Sequence, residues 1–142
     1  MMLDLLRRDP LIRKADTGLP LPTNAELEIL DVLWNLGPAT VRDVHEHLER
    51  RADIGYTTVL KLLQNMFEKG LVLRQEAQRS HIYSPAYKRT DIVRQITKGF
   101  VERVFSGSGS DLVLHALREE RLSPEELAEI QAALDRIKSR ER

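Results

Sequence analysis

The spacing of apolar and polar positions changes twice along this chain, and each change marks a change of element. From Thr23 to Lys69 apolar residues recur every three or four positions, the repeat of helices with one buried face. Leu27, Leu30, Leu33 and Trp34 form the first stripe. It opens on the capping box Thr23-Asn24-Ala25-Glu26 and closes at Gly37-Pro38. Val41, Val44 and Leu48 form a second stripe, after Thr40 and ending near Arg51. Val59, Leu62, Leu63 and Met66 form a third, from about Tyr56 to Lys69, with Gly70 as its stop. The pattern then shortens. Leu71-Val72-Leu73-Arg74 and His81-Ile82-Tyr83-Ser84 are strand-like runs, and the polar stretch 75–80 separates them as in a hairpin. After Pro85 the helical repeat returns. Ile92, Ile96, Phe100 and Val104 step by four, and Ser106-Gly107-Ser108-Gly109-Ser110 interrupts the run. Leu112, Val113, Ala116 and Leu117 start a short helix. Ser123-Pro124-Glu125-Glu126 is a second capping box with proline at the first helical position. It leads into Leu127, Ile130, Leu134 and Ile137, an a/d seam of less than two heptads.

Three helices followed by a two-stranded hairpin is the order of a winged helix-turn-helix, with the second and third helices as the helix-turn-helix and the hairpin as the wing. The expected architecture is mainly α, in three parts. Residues 1–22 are a tail, 23–86 the winged helix-turn-helix, and 87–142 an α-helical dimerisation domain. In the tail, Pro10, Gly18, Pro20 and Pro22 break any long helix, while Leu3, Leu5 and Leu6 could form a short apolar turn.

The third helix carries the candidate chemistry. Opposite its apolar stripe lie Thr57, Lys61, Gln64, Asn65 and Glu68, mostly uncharged hydrogen-bonding side chains with one lysine. Such side chains can read base edges in a major groove. Thr57, Lys61, Gln64 and Asn65 are the candidates for base contact. Tyr56, Thr58, Arg74, Arg79 and Lys88 are the candidates for phosphate, with Arg42 a further one at the start of the second helix. Tyr56 has two readings, a phosphate or base contact and a ring that covers the helix junction. The formal net charge of zero argues at first against nucleic acid, but the charge is unevenly placed. From Thr23 to Ile54 acids outnumber Arg42, Arg50 and Arg51. From Gly55 to Arg89, Lys61, Lys69, Arg74, Arg79, Lys88 and Arg89 outnumber Glu68 and Glu76. Local sign decides phosphate attraction; the plain alternative is a basic, solvated surface.

Other classes fall away. The chain has no cysteine, which removes disulfides, thiolate metal sites and cysteine nucleophiles and suits a reducing cytoplasm. No apolar run is long enough to span a bilayer, and the N-terminal segment lacks the apolar core and cleavage site of a signal peptide. His45 and His47 are two apart on a helix and point in different directions, and His81 and His115 are remote from them, so structural or surface roles are expected and no metal site. No GxSxG, P-loop, HExxH or glycine-rich dinucleotide turn is present, so neither an enzyme nor a cofactor is expected. Trp34 and Tyr83 read as core residues. The C-terminal helices are too small to build a deep core alone. An identical copy would cover them through Ile92, Ile96, Phe100, Val104, Leu112, Leu117, Leu127, Ile130, Leu134 and Ile137. The other reading folds them back over the winged helix.

These residues together match a known pattern. LEILDVLWNLGPATVRDVHEHL, GYTTVLKLLQNMFEKGLVLRQ, SHIYSPAY and LSPEELAEIQAAL resemble the penicillinase-repressor family, the BlaI/MecI/CopY-type regulators, over about residues 21–140. The most specific elements are Leu33-Trp34 with Gly37-Pro38, Thr58-Val59 with Leu62-Leu63 and Lys69-Gly70, and the Tyr83-Ser84-Pro85 exit from the wing. The resemblance implies a cytoplasmic, homodimeric, sequence-specific repressor whose partners are double-stranded operator DNA and its own second copy. In the antibiotic-responsive members of that family a membrane-bound sensor metalloprotease triggers cleavage of the repressor at an Asn-Phe bond in its first dimerisation helix, so the resemblance adds such a protease to the expected partners. The similar place here reads Lys98-Gly99-Phe100-Val101, with glycine where those members have asparagine. The cysteine-rich motif of the copper-responsive members is missing, which excludes copper sensing by that route. The contrasting reading is a winged-helix protein-interaction module without DNA readout. The polar face of the third helix argues against it, because protein-binding faces expose apolar or aromatic anchors.

Overall fold

The computed structural model describes residues 19–77 and 79–141. Residues 1–18 lie outside that range, and with them the expected apolar turn at Leu3, Leu5 and Leu6 and the signal-peptide question. The described residues form α1 (Asn24–Leu36), α2 (Val41–Glu49), α3 (Tyr56–Lys69), β1 (Val72–Ala77), β2 (Ser80–Pro85), α4 (Arg89–Val104), α5 (Gly109–Glu119) and α6 (Pro124–Arg140). The chain divides into two compact units, the first ending at Phe100 and the second starting at Val101.

Local chemistry sets the boundaries in the first unit. The Thr23 hydroxyl accepts the Glu26 N–H while the Glu26 carboxylate accepts the Thr23 N–H, which closes the expected box. A second box that sequence spacing did not single out, Thr40 with Asp43, opens α2. Gly70 ends α3 in the left-handed region at φ 86°, where its N–H meets the carbonyls of Met66 and Phe67. The hairpin is longer than expected. Antiparallel pairing runs from Val72 opposite Pro85 to Ala77 opposite Ser80, so Gln75 and Glu76 belong to β1 rather than to the turn.

The core is built from all these elements. Ile29, Leu30, Val32 and Leu33 of α1, Val44 and Leu48 of α2, and Val59, Leu63 and Met66 of α3 are all buried, together with Leu71, Val72 and Tyr83. Of the stripe expected on α1, Leu30 and Leu33 are buried, while Leu27 and Trp34 pack only partly against the cluster. Ile29 and Val32 take the deeper places because α1 is flanked by α2, α3 and β2 together and buries a wider arc than one stripe. Leu62 is likewise half-buried at the edge of α3. Two backbone bonds between Ala39 and Tyr83, of 2.9 and 2.8 Å, fasten the wing to the chain that enters α2. The Trp34 indole N–H donates to the Tyr87 carbonyl at 3.0 Å and ties α1 to the segment after the wing.

Ile92 corrects an expectation. It is 1% exposed and belongs to the core of its own winged helix, with Ile96 packed partly against the same cluster. The first turns of α4 therefore complete the first unit. Neither the dimerisation role expected for Ile92 nor a winged helix that stops at residue 86 fits that burial.

The buried Tyr83 hydroxyl has no hydrogen-bond partner among the described residues. A buried unsatisfied hydroxyl carries its full desolvation cost, so Tyr83→Phe is expected to leave stability unchanged or raise it by about 1 kcal/mol. Urea denaturation of the two proteins checks this; a loss of more than about 1 kcal/mol would mean that the hydroxyl is bonded in solution.

The second unit contrasts with the first. Its helices are well capped. The Ser108 hydroxyl accepts the Asp111 N–H, and Ser123 and Glu126 form a complete capping box in which the Ser123 backbone N–H and hydroxyl hold the Glu126 carboxyl below its ordinary value. Yet no residue of α5 or α6 is buried. Val104, Val113, Leu114, Leu127, Leu134 and Ile137 stand 44 to 52% exposed, and Leu112, Leu117 and Ile130 are half-buried.

Candidate nucleic-acid interface

α3 turns its apolar stripe into the core and leaves the opposite face open. Val59, Leu63 and Met66 are fully buried, while Thr57, Lys61, Gln64, Asn65 and Glu68 are all exposed. Tyr56 and Thr58 are exposed beside them at the helix start. That start is set by Gly55, which makes no side-chain capping bond, in contrast to the capped starts of α1, α2, α5 and α6.

The turn between α2 and α3 is held by a residue that sequence spacing did not reveal. His45 Nε2 donates to the Ile54 carbonyl at 2.9 Å, since a carbonyl oxygen can only accept. Its Nδ1 faces Glu49 at 4.0 Å, and its ring meets Tyr56 edge-on with centroids 5.8 Å apart. Tyr56 thus does cover the helix junction with one edge of its ring, and at 48% exposure it also presents surface beside the α3 start. His45 fixes where α3 begins relative to α2. A histidine and a carbonyl nine residues apart leave no periodic signal by which sequence could find them.

The basic candidates are not equivalent. Lys69 Nζ lies 2.6 Å from Oε1 of the buried Glu26, so its charge is matched inside the fold and joins the end of α3 to the start of α1. Counted with the basic residues by sequence, it adds little to the exterior field. Arg42 lies 3.8 Å from Glu46, but both side chains are mostly exposed, and a pair of that kind holds neither residue firmly. Arg79 and Lys88 are exposed, Arg79 at the wing turn and Lys88 just before α4. Arg74 lies on β1 opposite Tyr83, with its guanidinium carbon 4.0 Å from the centre of the Phe67 ring on α3. The hairpin and α3 therefore converge on one exposed cation. Among the described residues no helix is long and apolar enough to cross a membrane, and no group of three or more histidine and acidic side chains could hold a metal ion.

Comparison with known proteins settles the family. The description "Penicillinase repressor" matches residues 22–136, from the residue before the Thr23 cap to well inside α6. The chain belongs to the penicillinase repressor family. This is a family of repressors, not of enzymes. Among its relatives, the transcriptional regulator BlaI of Mycobacterium tuberculosis is 34% identical over 116 residues, covering 80% of this chain and 83% of that protein. The penicillinase repressor of Bacillus licheniformis is 25% identical over 124 residues, covering 87% and 97%. The solution structure of the DNA binding domain of the repressor BlaI aligns with 51% of this chain and 89% of its own at 23% identity, with a TM-score of 0.47. The family match extends through both units, so the exposed apolar helices α5 and α6 are as much part of it as the winged helix.

Proposed function

We propose that this chain is a sequence-specific, DNA-binding transcriptional repressor that acts as a homodimer on a dyad operator. The observation that carries the reading is the exposed face of α3, with Thr57, Lys61, Gln64 and Asn65 on a helix whose other side is locked into the core. A helix fits the major groove of B-DNA, and amide side chains there pair in bidentate fashion with adenine as lysine does with guanine. Tyr56, Thr58, Arg74, Arg79, Lys88 and Arg42 surround that face and serve the phosphates. Membership in the penicillinase repressor family supports the reading.

Dimerisation is assigned to the helical part, through Val104, Leu112, Leu117, Leu127, Ile130, Leu134 and Ile137, with Phe100 at the end of the first unit. Two small helices without one buried residue need a partner for their apolar faces, and a second copy offers the same faces by symmetry. The polar α3 stripe meets DNA in each copy, and pairing supplies the two half-sites. Release by a membrane-bound sensor metalloprotease would fall at Gly99-Phe100, within α4. Gly99 lowers helix propensity there by about 1 kcal/mol relative to alanine. A cut at that bond severs the chain one residue before the first unit ends, leaving α3 on one piece and the exposed apolar helices α5 and α6 on the other.

The test is readout by α3. Gln64→Ala or Asn65→Ala is expected to weaken binding to a selected site by about 5- to 150-fold, the equivalent of one lost bidentate base contact, and to change binding to a mixed-sequence duplex far less. Fluorescence anisotropy on both duplexes checks it. Equal losses on the two duplexes would remove these residues from base recognition.

A further inference from the structure

Phe67 is an aromatic residue 37% exposed on the outer side of α3. Arg74 lies over it, 4.0 Å from guanidinium carbon to ring centre. In the hairpin, Arg74 shares a sheet face with its cross-strand partner Tyr83 and with Val72, both buried, so it leaves β1 on the side that packs toward the core and α3. Among the described residues it has no carboxylate partner.

Stacking of this kind fixes a cation without consuming its donors. A guanidinium attracted to a ring face keeps the five N–H groups on its edge available, and they match the oxygens of a phosphate in a way that a lysine does not. A carboxylate partner would instead occupy those same donors, as Glu26 does for Lys69. We infer that Phe67 is a positioning residue for DNA binding: it holds the Arg74 guanidinium at the junction of α3 and the wing, edge outward, for a backbone phosphate next to the groove that α3 enters. This rests on the proposed DNA-binding function and assigns to it a residue with no direct DNA contact. Held in advance, Arg74 loses less side-chain freedom when it binds, and the ordering cost falls on folding rather than on association.

The experiment is a double-mutant cycle on the full chain, read by anisotropy on a mixed-sequence duplex of roughly 30 base pairs, about three helical turns, because a phosphate contact needs no particular sequence. Phe67→Leu keeps an apolar side chain but removes the ring, and is expected to weaken binding about 2- to 5-fold, the strength of one exposed cation–π contact. Phe67→Trp should restore wild-type affinity or exceed it. Arg74→Ala should lower the salt slope of binding by about one unit, while Phe67→Leu leaves the slope unchanged because the phosphate contact is still made. In the Arg74→Ala background, Phe67→Leu should have no further effect. Thermal denaturation of each variant accompanies the titrations, and a purely packing role for Phe67 would show as equal losses with and without Arg74. That result, or full affinity in Phe67→Leu, overturns the proposal while leaving DNA binding intact. An unchanged salt slope in Arg74→Ala also overturns it, since there would be no phosphate contact to position. If the wild-type chain binds neither the mixed duplex nor any selected site, the DNA-binding reading itself fails and the positioning role with it.

Discussion

Aspartate at Leu134 and Ile137 together is expected to turn a dimer into a folded monomer and to weaken operator binding by roughly 100-fold or more, the gain that linking two half-site contacts supplies. Both residues lie on α6 and are 44 and 46% exposed, so in a single chain the charges meet water and cost little. In a paired seam the same carboxylates would be buried without partners, which is costly. The first unit has its own core, which includes neither residue, and the variant should keep its helix content and non-specific DNA affinity. Sedimentation velocity gives the oligomeric state, and a mobility-shift titration of the same sample gives the affinity. A variant that stays dimeric, or a monomer that binds a two-half-site duplex as tightly as wild type, would contradict the assignment of pairing to the helical part.

Ile92→Ala is expected to act in the opposite way. Ile92 is 1% exposed within the first unit's core, so removing its side chain leaves a cavity, and large-to-small changes at such sites cost about 2–5 kcal/mol. For a unit of this size that is a large share of the whole stability. Ile137→Ala, on an exposed position of α6, should leave the unfolding of the first unit where it was. Urea denaturation followed by the fluorescence of Trp34, which packs against the same core, separates the two cases. Loss of pairing without loss of stability in Ile92→Ala would return Ile92 to the interface and detach the start of α4 from the first unit's core.

Sequence disclosed the parts of this fold that depend on neighbours along the chain. Thr23 and Glu26 are three residues apart and reach each other through one helical turn; Gly70 ends α3 because the left-handed conformation suits it. The polar stripe of α3 was equally legible, since its exposure follows from the burial of Val59, Leu63 and Met66 on the other side. What could not be read is what depends on distant partners. The four-residue step through Ile92 and Ile96 marks an apolar face but not what covers it, and the winged helix's own core does. Glu76 and Gln75 look like turn residues, yet a strand pairs through its backbone, and an exposed wing tolerates polar side chains. Lys69 and Glu26 are 43 residues apart, and nothing in either neighbourhood announces that one neutralises the other. The same holds for Arg74 and Phe67, where only the packing of β1 beside α3 brings the cation over the ring.

Repression of the kind proposed needs two copies that present the α3 face to DNA together. The most direct measurement of that is selection of binding sites by the full-length chain from a random-sequence duplex library. A dimer of this design should recover a two-fold symmetric motif, with half-site centres one helical turn, about 10 base pairs, or a multiple of it apart. Enrichment of a single unpaired half-site, or no enrichment over the starting library, would contradict it.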